Sequence, residues 1–299
     1  MTMITGVAPP SVLVVGDVNT DVVAVLSGAP APGSDRPAQI RTRGGGAGAN
    51  VAVHLARAGL DVTLAGCVGD DAAGAAQAAD LTAEGVRTAL RAVPGTATGT
   101  IVSLVEPDGQ RSMLADRGAN LALQAADLPP LARGGHLHLS GYTLLHPAPR
   151  PAGLAALAAA RAAGCTVSVD PASVGPLAAL GAEQWLADTE GATVLLPNAD
   201  EARLLSGCSD VSDAARALAV RHEVVAVSLG AEGALWVSGA TVVHRPAHDA
   251  IIVDTTGAGD AFSAGLLAAW LQAPDGDPGD ALDAGLRRAA EVVAGPGAR

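Results

Sequence analysis

The 299-residue sequence predicts an α/β fold with a mostly parallel central sheet and a small antiparallel β lid beside it. Three observations support this prediction. Short runs of apolar and β-branched residues recur along the chain, each of strand length. Alanine-rich segments of helical length separate most of them, which is typical of a parallel sheet covered by helices on both faces. Two regions, residues 22–43 and 98–118, break this alternation.

The elements follow from local patterns. The predicted strands of the central sheet are Ser11–Gly16, Val62–Ala65, Leu137–Leu139, Thr166–Val169, Thr193–Leu196 and Val224–Ser228. The clearest helical segments are Val51–Gly59, Gly153–Ala163, Ser212–Arg221 and Ala261–Leu271. In residues 98–118, two apolar runs flank the turn residues Pro107–Gly109, which predicts two strands with no helix between them. We expect one domain over residues 1–299, with residues 22–43 and 98–118 inserted as lid segments.

Charge and aromatic content exclude several classes of partner. The chain has 18 basic and 30 acidic residues, a net charge of -12, which repels nucleic acid and anionic membranes. Aromatic residues are only 2 %, too few for base-stacking surfaces. We therefore expect neither a nucleic-acid nor a membrane partner.

The absence of lysine excludes several mechanisms. All basic residues are arginines. Without lysine there is no P-loop lysine, no Schiff base and no strand lysine of a protein kinase. Any bound anion is therefore held by arginine, by a metal ion or by backbone amides.

Cysteine, histidine and hydropathy patterns point to an intracellular protein without a structural metal. Cys67, Cys165 and Cys208 show no C-x-x-C spacing, so neither a zinc site nor a disulfide framework is predicted. The histidines lack metal-ligand spacing, and His136 and His138 are predicted to lie in the core or a loop. Residues 1–10 lack the pattern of a signal peptide, and no apolar run approaches the ~20 residues of a membrane span. We expect a cytoplasmic location.

A glycine-rich loop precedes the helix at Val51. The stretch Gly44–Asn50 contains G-x-G-x-x-A, the dinucleotide fingerprint. That fingerprint requires a strand immediately before it, and Ser34–Arg43 does not read as one. A Rossmann oxidoreductase is therefore the weaker alternative, and a loop that approaches a ligand closely is favoured.

The stretch Asn198-Ala-Asp-Glu201 has two interpretations. Asparagine followed three residues later by glutamate is close to a capping box at a helix start. The same amide and carboxylate also suit a hydrated Mg²⁺. Taken alone, the spacing favours the cap.

The strongest signal is Gly257-Ala-Gly-Asp260, which opens an apolar helix. Backbone amides at a helix start suit a transferring phosphoryl group. Asp260 is then either an N-cap or a general base that takes a proton from a hydroxyl. A cap needs no glycine-flanked loop before it, so the base is favoured.

Together these motifs resemble the ribokinase (PfkB) family of sugar and nucleoside kinases. Asp254–Asp260 is similar to its C-terminal signature and Gly45–Asn50 to its N-terminal one, and the match runs from Val12 to about Gly297. The resemblance implies a three-layer α/β/α body with a β-sheet lid. It further implies an ATP-dependent kinase that uses Mg²⁺, phosphorylates a sugar or nucleoside and forms a homodimer through the lid.

The resemblance also assigns roles by position. The catalytic set is Asp260 as base with Gly257, Ala258 and Gly259 as anion hole. The substrate-binding set is Asn19, Asp21, Gly45, Gly46, Asn50 and Ser140. The nucleotide-binding set is Asn198, Ser228, Gly230, Glu232 and Gly233. The metal set is Glu201, acting on Mg²⁺ through water, with Asp254 and Thr255 near a monovalent cation such as K⁺.

Two departures from the family pattern keep the substrate open. Ala47 stands where ribokinases have lysine, and Ser140 stands where they place a sugar-binding glutamate. The arginines in or near the lid segments, which suit an acidic or phosphorylated sugar as well as a solvated surface, are Arg41, Arg43, Arg111 and Arg117. The alternatives are a nucleoside or sugar-acid kinase of the family, and a sugar-binding regulator that has lost catalysis.

Overall fold

The computed structural model describes residues 10–29, 33–106, 111–295 and 297–298. The strands are β1 Val12–Val15, β2 Asn19–Leu26, β3 Ala38–Gly45, β4 Val62–Gly69, β5 Arg87–Val93, β6 Gly99–Val105, β7 Arg111–Asp116, β8 His136–Ser140, β9 Thr166–Asp170, β10 Val194–Leu195, β11 Val224–Ser228, β12 Ala234–Ser238 and β13 Thr241–Arg245. The helices are α1 Ala47–Arg57, α2 Ala72–Ala83, α3 Tyr142–Leu145, α4 Arg150–Ala162, α5 Val174–Leu180, α6 Ala182–Asp188, α7 Ala199–Ser206, α8 Val211–Leu218, α9 Ala258–Gln272 and α10 Pro278–Val293.

The predicted strands and helices of the body are present. In the described residues the main sheet has the strand order β13-β12-β11-β10-β9-β8-β1-β4-β5. It is parallel from β11 to β5, and β12 and β13 add an antiparallel edge.

Helices cover both faces of the main sheet. Along β1, Val12 and Val14 pack in one apolar cluster, with side chains of α1, α9 and α10. Leu13 and Val15 pack in another, with side chains of α4, α7 and α8. Successive strand residues point to opposite faces, so this split confirms the predicted three-layer α/β/α arrangement.

A separate small sheet, formed by β2, β3, β6 and β7, has the order β3-β2-β6-β7. Its strands come from the two regions that break the alternation in the sequence. Strands β6 and β7 pair antiparallel with no helix between them, as predicted. The predicted turn at 107–109 lies outside the described residues, as do residues 1–9, on which the signal-peptide expectation rests.

One expectation about the glycine-rich loop is wrong. A strand, β3, does end at Gly45, immediately before α1. It escaped the sequence pattern because its exposed residues include Gln39, Arg41 and Thr42 and show no apolar face. Strand β3 belongs to the small sheet, whereas β4 belongs to the main one. The βαβ unit of a dinucleotide fold requires both strands in one sheet, so this loop is not part of such a unit.

Two buried histidines lie on β8, as the sequence predicted for the core. The ring nitrogens of His136 lie 2.8 Å from Thr166 Oγ1 and 2.8 Å from Ser168 Oγ, and His138 Nδ1 lies 2.9 Å from the same serine oxygen. Burial, and then the neighbouring His138, lowers the pKa of His136 to about 3. Burial lowers the pKa of His138 to about 4. Both rings are therefore neutral in the folded protein at neutral pH.

Neutral burial of His138 makes folding stability depend on pH. The unfolded chain binds a proton at this histidine below pH ~6.5, whereas the folded chain does not, so stability falls as pH falls. Between pH 7.5 and 5 the histidine costs about 2 kcal/mol. We expect His138→Asn, which retains a polar atom near the Nδ1 position, to remove that part of the pH dependence in urea unfolding. An unchanged difference between the two pH values would contradict the assignment.

Candidate active site

A main cavity of about 550 Å³ opens where the carboxyl ends of the parallel strands face the small sheet. The body contributes Asp17 after β1, Asp170 at the end of β9, and Ser228 at the end of β11. Ile101, from the small sheet, lines the cavity from the opposite side. Ligands of open α/β sheets bind at this edge, so the fold itself places the site here.

Glycines bring β1 and α1 into close contact at the cavity. A Cβ on Gly16 would lie 2.8 Å from the Gly48 Cα, and one on Gly46 would lie 2.5 Å from the Asp17 carbonyl oxygen. Gly46 also has a φ of 97°, which disfavours any side chain. Gly45 does not line the cavity, but a Cβ there would collide with the Asp21 carboxylate. The glycine-rich loop therefore lies directly against the Asp21 carboxylate and the Asp17 backbone.

Asp17, which sequence reasoning missed, is the centre of a polar network. It is 5 % exposed. Its carboxylate accepts hydrogen bonds from Asn19 Nδ2 at 3.0 Å, from the Gly48 amide at 3.2 Å and from Ser140 Oγ at 3.2 Å. Ser140, one of the predicted substrate contacts, is thus buried behind the cavity wall and holds Asp17.

Asn120 is a second residue that the sequence did not reveal. Its Oδ1 accepts the Val18 amide at 2.9 Å, and its Nδ2 donates to the Val18 carbonyl at 3.1 Å. The same Nδ2 lies 2.8 Å from Asn19 Oδ1. Asn120 therefore fixes the segment between β1 and β2 that carries Asn19 and Asp21 into the cavity.

Asp260 lies in the first turn of α9 and is not its cap. The N-cap residue is Gly257, with a φ of 76° and no side-chain capping bond. The Asp260 Oδ2 instead accepts a hydrogen bond of 2.7 Å from Asn50 Nδ2 across the cavity. The capping alternative is thus wrong for this carboxylate. Asn50 Oδ1 remains buried with no hydrogen-bond partner in the described part of the chain.

The surroundings of Asp260 favour its protonated form. Burial raises the pKa of Asp260 well above its usual range, and the nearby carboxylates of Asp170, Asp17 and Asp21 raise it further. The hydrogen bond from Asn50 acts in the opposite direction. A carboxylate with a raised pKa is a stronger base when it is ionised.

Asn198 and Glu201 form the capping box that the sequence indicated. Asn198 Oδ1 accepts the amides of Asp200 at 3.0 Å and Glu201 at 2.9 Å. Glu201 Oε2 accepts the Asn198 amide at 2.9 Å. Both residues also line the main cavity, where burial and then Asp170 raise the pKa of Glu201 to about 7. The capping box therefore holds Glu201 at the cavity wall, where its carboxylate binds a proton near neutral pH.

Asp170 is a further carboxylate that was not predicted. Its Oδ1 accepts the Ala172 amide at 2.7 Å. Among the described residues, Ala172 is the one non-glycine residue with a positive φ, 69°. The pKa of Asp170 is raised to about 6, chiefly by burial; the hydrogen bond from Ala172 lowers it and the charge of Asp17 raises it. This strained turn keeps Asp170 beside Glu201 and Asp260.

A side cavity of about 450 Å³ adjoins the main cavity at the start of α9. The residues that line both are Ser228, Thr255, Gly259 and Phe262. Gly230 and Gly233 line the side cavity, and its far wall is apolar, with Leu286, Ala289 and Val293. The two cavities therefore lie next to each other at one helix N-terminus.

The remaining predicted residues lie around these cavities. Ala258 lines the side cavity, and its amide donates to the Thr255 carbonyl at 3.3 Å. Glu232 and Asp254 line neither cavity. The Asp254 carboxylate accepts the amides of Thr256 at 2.9 Å and Gly297 at 3.1 Å, and so shapes the loop before α9.

Within the described ranges, no group of three His, Cys, Asp or Glu side chains is arranged to hold a metal ion. In the same part of the chain, no helix combines the length and the apolar character needed to cross a bilayer.

This fold and site define a class of small-molecule phosphotransferase, in which two ligands meet at a helix N-terminus. Residues 9–299 match the pfkB family of carbohydrate kinases, and the chain belongs to that family. It is therefore an ATP-dependent carbohydrate kinase. The family relationship favours catalysis over the non-catalytic regulator.

Three relatives illustrate the match. The ATP-dependent ribose-1-phosphate kinase of Halopiger xanaduensis is 36 % identical, covering 91 % of this chain and 88 % of that protein. The aminoimidazole riboside kinase of Salmonella enterica, solved with aminoimidazole riboside and an ATP analog, is 30 % identical with a TM-score of 0.81, covering 96 % and 95 %. The fructokinase of Vibrio cholerae O395, solved with fructose, ADP and calcium, is 28 % identical with a TM-score of 0.81, covering 97 % and 94 %.

Proposed function

We propose that this chain transfers the γ-phosphoryl group of ATP to a hydroxyl of a small sugar, with Asp260 as the general base. The observation that carries the proposal is the position of the Asp260 carboxylate. It lies at the start of α9, where the main and side cavities adjoin, and accepts a hydrogen bond from Asn50. A hydroxyl in the main cavity is thereby within reach of a base and of a nucleotide in the side cavity.

The reaction divides between Asp260 and the start of α9. Asp260 removes the hydroxyl proton as the oxygen forms its bond to the γ-phosphorus and the bond to the bridging oxygen of ADP breaks. The segment Gly257–Gly259 acts as the anion hole, because the positive end of a helix dipole and its backbone amides stabilise the equatorial oxygens. The substrate oxygen thus gives its proton to Asp260 and receives the phosphoryl group from ATP, both at the start of α9.

Substrate hydroxyls are held by polar side chains from the small sheet and α1. Asn19 and Asp21 line the cavity from β2, and Gly46 and Asn50 line it from the start of α1. The unpartnered Asn50 Oδ1 is suited to accept a sugar hydroxyl. Gly45 and Ser140 act indirectly, by seating Asp21 and Asp17 respectively.

ATP binds in the side cavity. Its phosphates approach Ser228, Gly230 and Gly233, and its adenine lies against the apolar wall near Val293. Asn198 contacts the phosphates from the neighbouring strand end, since it pairs with Ser228 as an isolated β-bridge. Glu232 lies on the same turn as Gly230 but lines neither cavity.

Mg²⁺ fits this site when nucleotide phosphates complete its shell. The ion commonly takes one or two carboxylates, several waters and phosphate oxygens, so a preformed set of three protein ligands is not required. Glu201 would hold it through water, and the ion would supply charge neutralisation at the phosphates. K⁺ would lie near Asp254 and Thr255 and use backbone carbonyls there, because two amides already occupy the Asp254 carboxylate.

The small sheet acts as a lid on a single catalytic domain. It carries Asn19 and Asp21 on one side of the cavity, whereas Asp260 and Glu201 lie on the body. Closure of the lid segments over a bound sugar would bring the side chains of the small sheet and those of the body into contact with the same sugar. It would also exclude water from the reacting groups.

Replacing the base tests the mechanism directly. We expect Asp260→Asn to lower kcat by ~10²- to 10⁴-fold with little change in KM, because the proton acceptor is lost and the shape is kept. The measurement is coupled ADP release with Mg²⁺-ATP over a panel of pentoses, hexoses, sugar phosphates, sugar acids and nucleosides. Asp200→Asn, which alters an exposed carboxylate on α7, is the matched control. Turnover close to wild type in Asp260→Asn would remove Asp260 from the mechanism.

The neighbouring Asp170 sets the pH range of the base. Its charge raises the pKa values of Asp260 and Glu201, so neutralising it lowers both. We expect Asp170→Asn, whose Oδ1 still accepts the Ala172 amide, to move the acid limb of the kcat/KM profile to lower pH. A limb that stays in place, or moves to higher pH, would show that Asp170 does not control the ionisation of the base.

A homodimer would form through the outer face of the small sheet. Strand register places Ile40 with Ala24, and Leu114 with Val102 and Val22. This face is opposite to the one that carries Asp21 into the cavity. Ile40 is 66 % exposed and Leu114 60 %, so two copies would bury both side chains against each other.

Charge on that face would prevent the association. We expect Leu114→Glu to yield monomer in sedimentation velocity at a concentration where the wild type is a dimer. Val220→Glu, at a position 85 % exposed on the body, is the control and should leave the mass unchanged. A monomeric wild type, or a dimer that persists in Leu114→Glu, would refute this interface.

A further inference from the structure

One cationic side chain lies among the described residues that line the main cavity. Arg117 follows β7, and the side chain is 15 % exposed. Its Nη1 lies 3.6 Å from Asp17 Oδ2, and its Cζ lies 3.7 Å from the centre of the Tyr142 ring. The guanidinium is therefore held flat between a carboxylate and an aromatic face.

The contact with Asp17 leaves much of the guanidinium unused. At 3.6 Å it is longer than a charge-assisted hydrogen bond, and Asp17 already accepts three shorter ones. Arginine has five N–H donors in a planar fork that matches a carboxylate or phosphate. The Tyr142 ring packs against the guanidinium, and the Tyr142 hydroxyl also accepts a hydrogen bond from it, so Tyr142 holds the fork in place.

A small rear cavity lies behind Arg117. It is about 20 Å³, the size of one water, and Arg117, Tyr142 and His146 line it together. His146 Nε2 is buried with no hydrogen-bond partner in the described ranges. Burial, and then the charge of Arg117, lowers the pKa of His146, so the ring is neutral at neutral pH. The region around Arg117 thus offers a cation and an unsatisfied polar atom.

The rest of the main cavity is acidic. The carboxylates that line it are Asp17, Asp21, Asp170, Glu201 and Asp260. An anionic group on the acceptor would be repelled along that wall, and Arg117 is the one cationic side chain among the described lining residues that would attract it. Binding of the anionic group at Arg117 would also orient the acceptor, because that end of the molecule would lie beside the guanidinium and the uncharged end would lie along the acidic wall.

We propose that Arg117 determines specificity for an acceptor that carries an oxyanion, either phosphate or carboxylate, in addition to the hydroxyl that is phosphorylated. The proposal rests on the phosphotransferase function proposed above. The oxyanion accepts a bidentate hydrogen bond from the guanidinium, and the Tyr142 ring packs against one face of the guanidinium. Neutral sugars enter the same cavity without that contact and are the poorer acceptors.

Matched acceptors test the proposal. The full chain is assayed for Mg²⁺-ATP-dependent ADP release with ribose, ribose 1-phosphate, ribose 5-phosphate and ribonate. We expect kcat/KM for at least one anionic acceptor to exceed that for ribose by 10-fold or more. Arg117→Gln should lower that value by about 100-fold and leave the value for ribose within about 3-fold. Comparing kcat/KM for the two sugar phosphates with that for ribonate identifies whether a phosphate or a carboxylate is bound.

Two further variants separate recognition from support of Asp17. Arg117→Lys keeps the charge and loses the fork, so we expect a smaller loss, seen mainly in KM. Arg216→Gln changes an exposed arginine of α8 on the body and should have no effect. Equal losses for ribose and for the anionic acceptor in Arg117→Gln, or a wild type that prefers ribose, would overturn the proposal. Absence of ADP release with every acceptor would instead refute the proposed phosphotransferase function.

Discussion

The site depends on one close approach, that of the end of β1 to the start of α1. No side chain fits between Gly16 and Gly48, where each Cβ would enter the other backbone. This contact lets the Gly48 amide reach Asp17 and sets the direction of α1. Asn50, two residues after Gly48, then reaches Asp260, which is 210 residues distant in sequence. A backbone contact without side chains thus joins the two ends of the candidate site.

The second constraint on the site is the electrostatic cost of burying several carboxylates close together. Asp170, Glu201 and Asp260 lie near one another with raised pKa values, and burial is the principal cause for each. Such a cluster disfavours the ionised folded state and is tolerated where function requires it. The surrounding structure supplies the compensation, through the capping box at Glu201, the Ala172 amide at Asp170 and the Asn50 amide group at Asp260.

The sequence predicted the body, the small sheet and many of the residues that line the two cavities, because these follow from local patterns. Glycine-rich loops, strand periodicity and the N-x-x-E spacing each depend on neighbours along the chain. Strand β3 was misread since its polar residues show no apolar alternation. Asp17 and Asp170 carry no local signature, and their importance arises only when strand ends that are far apart in sequence meet in the folded chain. Arg117 was one of four lid arginines that the sequence offered, and only the folded chain separates it from the other three by placing it in the main cavity. Ser140 shows the converse: its position beside the motif residues was correct, but its hydroxyl is used by Asp17.

The position of Tyr142 has a practical consequence for spectroscopy. The chain contains one tyrosine and one phenylalanine. Tyr142 lines the main cavity beneath Arg117, and Phe262 lies where the main and side cavities adjoin. Fluorotyrosine incorporated in place of tyrosine therefore gives a single ¹⁹F resonance, located in the main cavity. Fluorophenylalanine gives another where the two cavities adjoin, so a ligand that shifts both resonances occupies the main cavity and one that shifts only the fluorophenylalanine resonance occupies the side cavity.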